Sequence, residues 1–163
     1  MNFQKAKEET KAMVQQVNKP TFCGVIHDSN IITDYGFIKI SHIKIGDKVL
    51  IGENEYAEVI SVDKGVYVGT MIIIRTALFT LTCTPDVRLK VLKIDSNGIR
   101  EEWKRADEIS MVDKFAIFSP NGNMTRNYAT QITRITKRTI VYSLMLKESK
   151  QYTAKGLIIR TDK

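Results

Sequence analysis

Residues 23–49 read Cys23-Gly24-Val25-Ile26-His27-Asp28-Ser29-Asn30-Ile31-Ile32-Thr33-Asp34-Tyr35-Gly36-Phe37-Ile38-Lys39-Ile40-Ser41-His42-Ile43-Lys44-Ile45-Gly46-Asp47-Lys48-Val49. Ile31-Ile32-Thr33 and Phe37-Ile38-Lys39-Ile40 are β-rich runs, and Asp34-Tyr35-Gly36 between them is a tight-turn signal. The same grammar continues downstream. Lys48 to Ile51, Tyr56 to Val62, Val66 to Thr84, Arg88 to Ile94, Phe115 to Phe118, Gln131 to Thr136, Thr139 to Leu146 and Leu157 to Arg160 are predicted strands. Alternation is clearest late in the chain, where Ile140, Tyr142, Leu144 and Leu146 share one face. Asp95-Ser96-Asn97-Gly98 predicts a hairpin, because Asn-Gly supplies the positive φ of a two-residue loop. Lys104 to Ile109 hints at a helical turn, and Ser119 to Asn127 reads as a polar loop rich in breakers. Many short strands at close spacing predict an all-β fold, curled on itself to bury its edges.

Upstream, residues 1–22 differ. Phe3, Ala6, Met13 and Val17 recur at helical intervals among Lys, Glu and Gln, and Pro20 follows as a stop. The pattern predicts a short amphipathic helix over residues 1–19 and then a turn. A helix of that length is marginal alone, so it either packs on the body or docks on a partner.

The length of 163 residues suits one domain with an arm, and 43% hydrophobic with 26% charged residues is ordinary globular composition. No apolar run is long enough to span a bilayer, since Val66 to Leu81 is broken by Gly69, Thr70, Arg75, Thr76 and Thr80. Met1-Asn2-Phe3-Gln4-Lys5 lacks the apolar h-region of a secretory signal, and two cysteines form no disulfide framework. These features predict an intracellular, cytoplasmic protein in a reducing compartment. His27, His42, Cys23 and Cys83 have no metal-ligand spacing, so neither metal nor cofactor is expected.

The net charge of +7 is unevenly spread: residues 1–110 hold 15 basic and 15 acidic side chains, residues 111–163 hold 10 and 3. Arg134, Lys137, Arg138, Lys147, Lys150, Lys155 and Arg160 are dispersed, which fits a solvated basic sheet face. A nucleic-acid partner is not favoured.

The quoted stretch resembles the opening block of the hedgehog/intein (Hint) family, which begins with a nucleophilic Cys or Ser followed by "I-x-T", "G-x-x-x-I" and "I-x-x-G-D-x-V". Three later stretches resemble further blocks in the same order. Leu81-Thr82-Cys83-Thr84-Pro85-Asp86 is similar to the block that carries T-x-x-H, and Glu102 to Ile109 with Asp113 to the "W-x-x-A-x-x-L…G-D" stretch. Val141-Tyr142-Ser143-Leu144 and Tyr152 to Thr161 are similar to the closing "V-Y-D-L" and "A-x-G-I-x-V-H-N" blocks. The resemblance covers residues 23–161, the size of a mini-intein with no endonuclease inserted near the 119–128 loop. It implies a horseshoe-like, pseudo-symmetric β fold, a 1–22 arm in the place of an upstream extein, and a tail at 162–163.

The resemblance also implies a chemistry: an N-to-S acyl shift at the Phe22-Cys23 bond, with Cys23 as nucleophile and Thr84 and Asp86 in helper positions. Four positions depart from the family. Val87 stands where T-x-x-H has its His, Ser143 replaces the Asp of "V-Y-D-L", Arg160 aligns with the penultimate His, and Thr161 with the cyclising Asn. Losing the acid-base group alone costs roughly 10²–10⁴ in rate, and threonine has no side-chain amide to cyclise. Only Asp162 and Lys163 follow, leaving on this reading no downstream segment to splice.

Each residue keeps a plainer reading. Cys23 could be a small buried residue, Cys83 a core residue, His27 an exposed turn histidine and not a substitute acid, and Arg160 a charged strand end and not an oxyanion stabiliser. Two classes of function follow. One is a splicing-deficient self-processing domain acting on its own arm, at most a single-turnover catalyst. The other is a non-catalytic scaffold that contacts a protein partner through the arm and the basic strands.

Overall fold

The computed structural model describes residues 23–119 and 123–161. The predicted helix of residues 1–19, Phe22 and the 162–163 tail lie outside the described residues. Among the described residues there is no α-helix, and no helix long and apolar enough to cross a membrane. The chain forms β1 (Val25–Ile26), β2 (Asn30–Thr33), β3 (Gly36–Lys39), β4 (Lys48–Gly52), β5 (Glu55–Thr76), β6 (Thr80–Cys83), β7 (Arg88–Asp95), β8 (Gly98–Arg105), β9 (Lys114–Phe118), β10 (Met124–Leu146), β11 (Gln151–Ala154) and β12 (Leu157–Arg160).

The two long strands organise the rest. β5 and β10, of 22 and 23 residues, pair antiparallel from Val59↔Leu146 to Ala129↔Thr76. β5 begins against β4 and ends against β6, whereas β10 begins against β9 and ends against β1. The hairpin β2–β3 sits beside β4, and the hairpin β7–β8 beside β9. The closing hairpin spans both sets, with β11 on β2 and β12 on β7 and β9. All-β architecture is therefore the observed fold, with β10 paired back onto both β5 and β9 and with β3 and β8 left as edges among the described residues.

This arrangement is two copies of one unit: β1 to β5 and β6 to β10. Each unit has a 3-10 turn, Ile40–His42 in the first and Ala106–Glu108 in the second. The residues before these turns, Lys39 (φ −62, ψ 139) and Arg105 (φ −64, ψ 146), have matching extended backbones. After each turn an aspartate accepts from the amide three residues before it: Lys44 N to Asp47 Oδ2 at 2.8 Å, and Ser110 N to Asp113 Oδ2 at 2.8 Å. Ile40-Ser41-His42-Ile43 with Asp47-Lys48-Val49 thus matches Ala106-Asp107-Glu108-Ile109 with Asp113-Lys114-Phe115.

The core lies between the strands and joins both units. Val25, Ile31, Val49, Ile72, Leu81, Cys83, Leu89, Phe115, Leu144, Tyr152 and Ile159 are buried in one cluster. A separate small cluster of Tyr67, Met71 and Val141 covers the other face of the long ribbon.

The predicted strands exist, with corrections to their bounds. Tyr56 to Val62 and Val66 to Thr76 are one continuous strand, because Asp63-Lys64-Gly65 pair with Ser143, Tyr142 and Val141 of β10. The run predicted to continue to Thr84 instead turns at 77–79. Thr76 Oγ1 accepts from the amides of Leu78 (3.3 Å) and Phe79 (3.0 Å), a side-chain-built turn without Gly or Pro. Gln131 to Thr136 and Thr139 to Leu146 likewise merge. The polar loop is shorter than expected, since β10 starts at Met124, and the expected helical turn at Lys104 to Ile109 reduces to the 3-10 turn after a strand. Asp95 to Gly98 is a hairpin, with Gly98 at φ 114.

Asp113 ties the second unit together. Its side chain is 1% exposed and receives Lys104 Nζ at 2.9 Å, Lys93 Nζ at 3.5 Å and the Ser110 amide. Burial works against the charge, but the amide and the two ammonium groups outweigh it and hold the carboxyl below its ordinary range. Asp113→Ala should lower stability in urea melts by about 1–3 kcal/mol at neutral pH, leaving the amide and Lys104 without their acceptor. Because the folded-state pKa is lowered, that stability is present above the unfolded carboxylate value near ~4 and is lost as pH falls through the folded value. Wild type and variant should therefore converge in acid; an equal gap at acidic and neutral pH contradicts the assignment.

Candidate functional site

Cys23 sits where β1, β6 and β10 meet. Val25 pairs with Tyr142 on one side and with Cys83 on the other. Gly24 precedes β1 and lies against Thr84 on the β6 side and the Tyr142 backbone on the β10 side. Hydrogen bonds lock the Gly24 step. The Thr84 amide donates to the Gly24 carbonyl at 3.0 Å, and the Gly24 amide donates to Thr84 Oγ1 at 3.0 Å. Thr84 Oγ1 in turn donates to Asp86 Oδ1 at 2.7 Å. Thr84 is fully buried, so its hydroxyl is committed to holding the residue beside Cys23.

Position 24 admits only glycine. A Cβ there would run into the carbonyl oxygen and carbon of Tyr142, which are backbone atoms that cannot rotate away. The requirement comes from close approach of the two strands. The sequence reading missed this residue.

Cys23 itself is half-buried and packs against the main core cluster. Two buried groups feel its charge. Cys83 is fully buried; burial pushes its thiol strongly up, and the Cys23 sulfur, Asp86 and Asp107 add to the rise. Tyr152 is 1% exposed, with its phenol pushed up first by burial and next by the Cys23 sulfur. The Leu144 backbone and Ser143 side chain, within hydrogen-bonding reach of the phenol oxygen, act the other way. Tyr152 was legible only as an aromatic in a closing strand; its place in the core that Cys23 packs against depends on the hairpin β11–β12 folding across the first unit.

The structure brings Cys23, Thr84, Asp86 and Ser143 to this junction. Val87 lies 1% exposed in the apolar core, its amide donating to the Thr84 carbonyl at 3.3 Å and its carbonyl accepting from Ala106 at 2.7 Å. Arg160 places its guanidinium 5.9 Å from the Trp103 ring centroid, with Lys90 at 5.0 Å from the same ring. Thr161 is buried and its amide donates to the Lys150 carbonyl at 2.7 Å. His27 is exposed. Among the described residues, no group of three or more His, Cys, Asp and Glu is arranged to hold a metal.

Comparison with solved structures identifies the fold as that of the inteins, the Hint fold. The chain is similar to the DnaB intein of Synechocystis sp. (TM-score 0.67, 19% identity, covering 87% of this chain and 100% of the other). It is also similar to the TvoVMA intein (TM-score 0.69, 17% identity, 86% and 98% covered). A third similar structure is a bacterial intein-like domain from Clostridium thermocellum (TM-score 0.66, 16% identity, 87% and 100% covered). No protein-family description and no curated protein matches the chain.

The Thr84 network makes a direct prediction. Thr84→Val keeps the shape but removes the acceptor of a buried amide, and should cost about 1–3 kcal/mol in chemical denaturation. Thr84→Ser keeps the hydroxyl and should retain most of that difference. Equal stability of the Val and Ser variants would show that the hydroxyl is not what holds Gly24.

Proposed function

We propose that this chain is an intein-like self-processing domain reduced to its first step, acting on the Phe22-Cys23 peptide bond of its own 1–22 arm. In that step the Cys23 sulfur attacks the Phe22 carbonyl carbon. A C–S bond forms, the C–N bond breaks, and the thiol proton ends on the freed α-amino group of Cys23. No cofactor is consumed. The observation that carries the reading is the reciprocal bonding of Gly24 with Thr84, continued to Asp86, which fixes the backbone next to the attacking residue.

The later steps of splicing are absent on this reading. Val87 can neither donate nor accept a proton, so any acyl shift runs without the histidine that the family uses, at a cost of about 10²–10⁴ in rate. Thr161 cannot form a succinimide. Asp86 is the helper that remains within reach of the Thr84 hydroxyl.

One observation favours the other reading, a non-catalytic scaffold. The departing positions are absorbed into the packing: Val87 is core, Arg160 faces Trp103, and Thr161 is bonded to Lys150. On that reading the arm and the dispersed basic strands are contacts for a protein partner.

Incubation with dithiothreitol or hydroxylamine, followed by mass spectrometry, separates the two. Self-processing releases a peptide of residues 1–22 and none from Cys23→Ala; a chain that stays intact under both nucleophiles supports the scaffold. Val87→His, checked for retained fold, should raise thiol-induced cleavage if the first step is limited by the missing acid. An unchanged rate overturns that explanation of slowness.

A further inference from the structure

The turn at 77–79 is the chain's connection between the two units, and its residues are ill suited to turning. The segment Arg75-Thr76-Ala77-Leu78-Phe79-Thr80 contains no Gly, Pro, Asn or Asp, and its Thr and Phe residues favour extended backbone. That is why the sequence reads Val66 to Thr84 as one strand. No residue from 76 to 79 has a positive φ. One hydroxyl makes most of the reversal: Thr76 Oγ1 accepts from the Leu78 and Phe79 amides and donates to the Phe79 carbonyl at 3.1 Å. The Thr76 amide adds a bond to the same carbonyl at 2.8 Å. Ala77 is exposed and Leu78 is 56% exposed. Local preference and tertiary structure disagree at this one connection.

What the turn joins is two units that hold each other by exchange. β5 of the first unit ends against β6 of the second, β10 of the second ends against β1 of the first, and β1 pairs with β6. The closing hairpin follows β10 and sets β11 on β2. Each of these pairings can form equally well between two chains. With residues 76–80 extended, the first unit of one copy meets the second unit of another through the same register, and only the turn is lost. Exchange of identical elements is a low-cost route to a dimer for this reason.

We infer that two copies of this chain exchange units through an extended 76–80 segment. The candidate site is then built from both copies. Cys23 and Gly24 come from one and Thr84 and Asp86 from the other, so the reciprocal Gly24–Thr84 bonds run between chains. The exchange does not depend on whether Cys23 reacts.

Thr70 and Thr136 are exposed and directly opposite on the ribbon, one in each unit, and they provide the test. Full chains carrying Thr70→Cys and full chains carrying Thr136→Cys, both with Cys23→Ala, are mixed, refolded from urea at high protein concentration and treated with a short bis-maleimide; Cys83 is buried. Exchange gives a 70–136 link between the two variants, mapped by mass spectrometry. The double variant refolded at low concentration should link within one chain, which shows that the fold and the pairing are intact. Thr76→Ala loosens the turn and should raise the dimer-to-monomer ratio on the order of tenfold in size-exclusion chromatography. Ala77→Asn with Leu78→Gly installs a turn sequence and should suppress the dimer. A refolded mixture without a 70–136 link between chains, or a dimer that lacks it, overturns the inference. A linked dimer that neither turn variant changes overturns the assignment of the hinge to residues 76–80.

Discussion

The pairing of β5 with β10 is the constraint from which the rest of the structure follows. Because side chains alternate with a period of two, a slip of one residue along this ribbon would exchange its two faces. Leu144 and Ile72 would leave the main core, and Tyr67, Met71 and Val141 would leave the small cluster on the other side. The correct register has apolar burial on both faces, so both faces specify it. Each strand also extends past its partner into a separate unit, which lets one ladder hold two hairpin-and-turn units at a set distance.

The same ribbon determines where Cys23 lies. The two units are related strand for strand, and their first strands, β1 and β6, pair with each other at Val25↔Cys83. The short strand that follows Cys23 therefore has β10 on one edge and β6 on the other. Its backbone polar groups are taken up on both sides, leaving little freedom for the residue at its start. Thr84 closes the arrangement by filling the valence of the Gly24 amide with a side chain after β6 has ended.

Much of this was legible in the residues. Turn chemistry at Asp34-Tyr35-Gly36 and Asn97-Gly98 and the alternation after Thr139 gave hairpins and an all-β class, and the ordered blocks pointed to the Hint fold. The strand bounds were not legible where tertiary pairing outweighs local character. Lys64-Gly65 and Lys137-Arg138 look like breaks, yet they are the middle of the ribbon, where each strand satisfies the other's backbone. The turn after Thr76 has no Gly or Pro to announce it, since a threonine hydroxyl does the work. The internal repeat was visible in principle as Ile43 with Asp47-Lys48-Val49 against Ile109 with Asp113-Lys114-Phe115, but the equivalent turns share too few identities to stand out. Of the site, the positions of Cys23 and Thr84 could be read from motif order. The role of Gly24 could not, because it arises from strands that approach across the fold.

The departures from the family pattern are of two physical kinds. Val87, Arg160 and Thr161 have found partners in the apolar core, the Trp103 ring and the Lys150 carbonyl, so each substitution contributes to packing on its own account. Ser143 is different. It remains beside the Cys23 junction, within reach of a buried phenol, where a serine hydroxyl still adds a donor and an acceptor. The geometry beside Cys23 is made by backbone pairing, Gly24 and Thr84. These positions hang on the ends of strands whose register the long ribbon has already set.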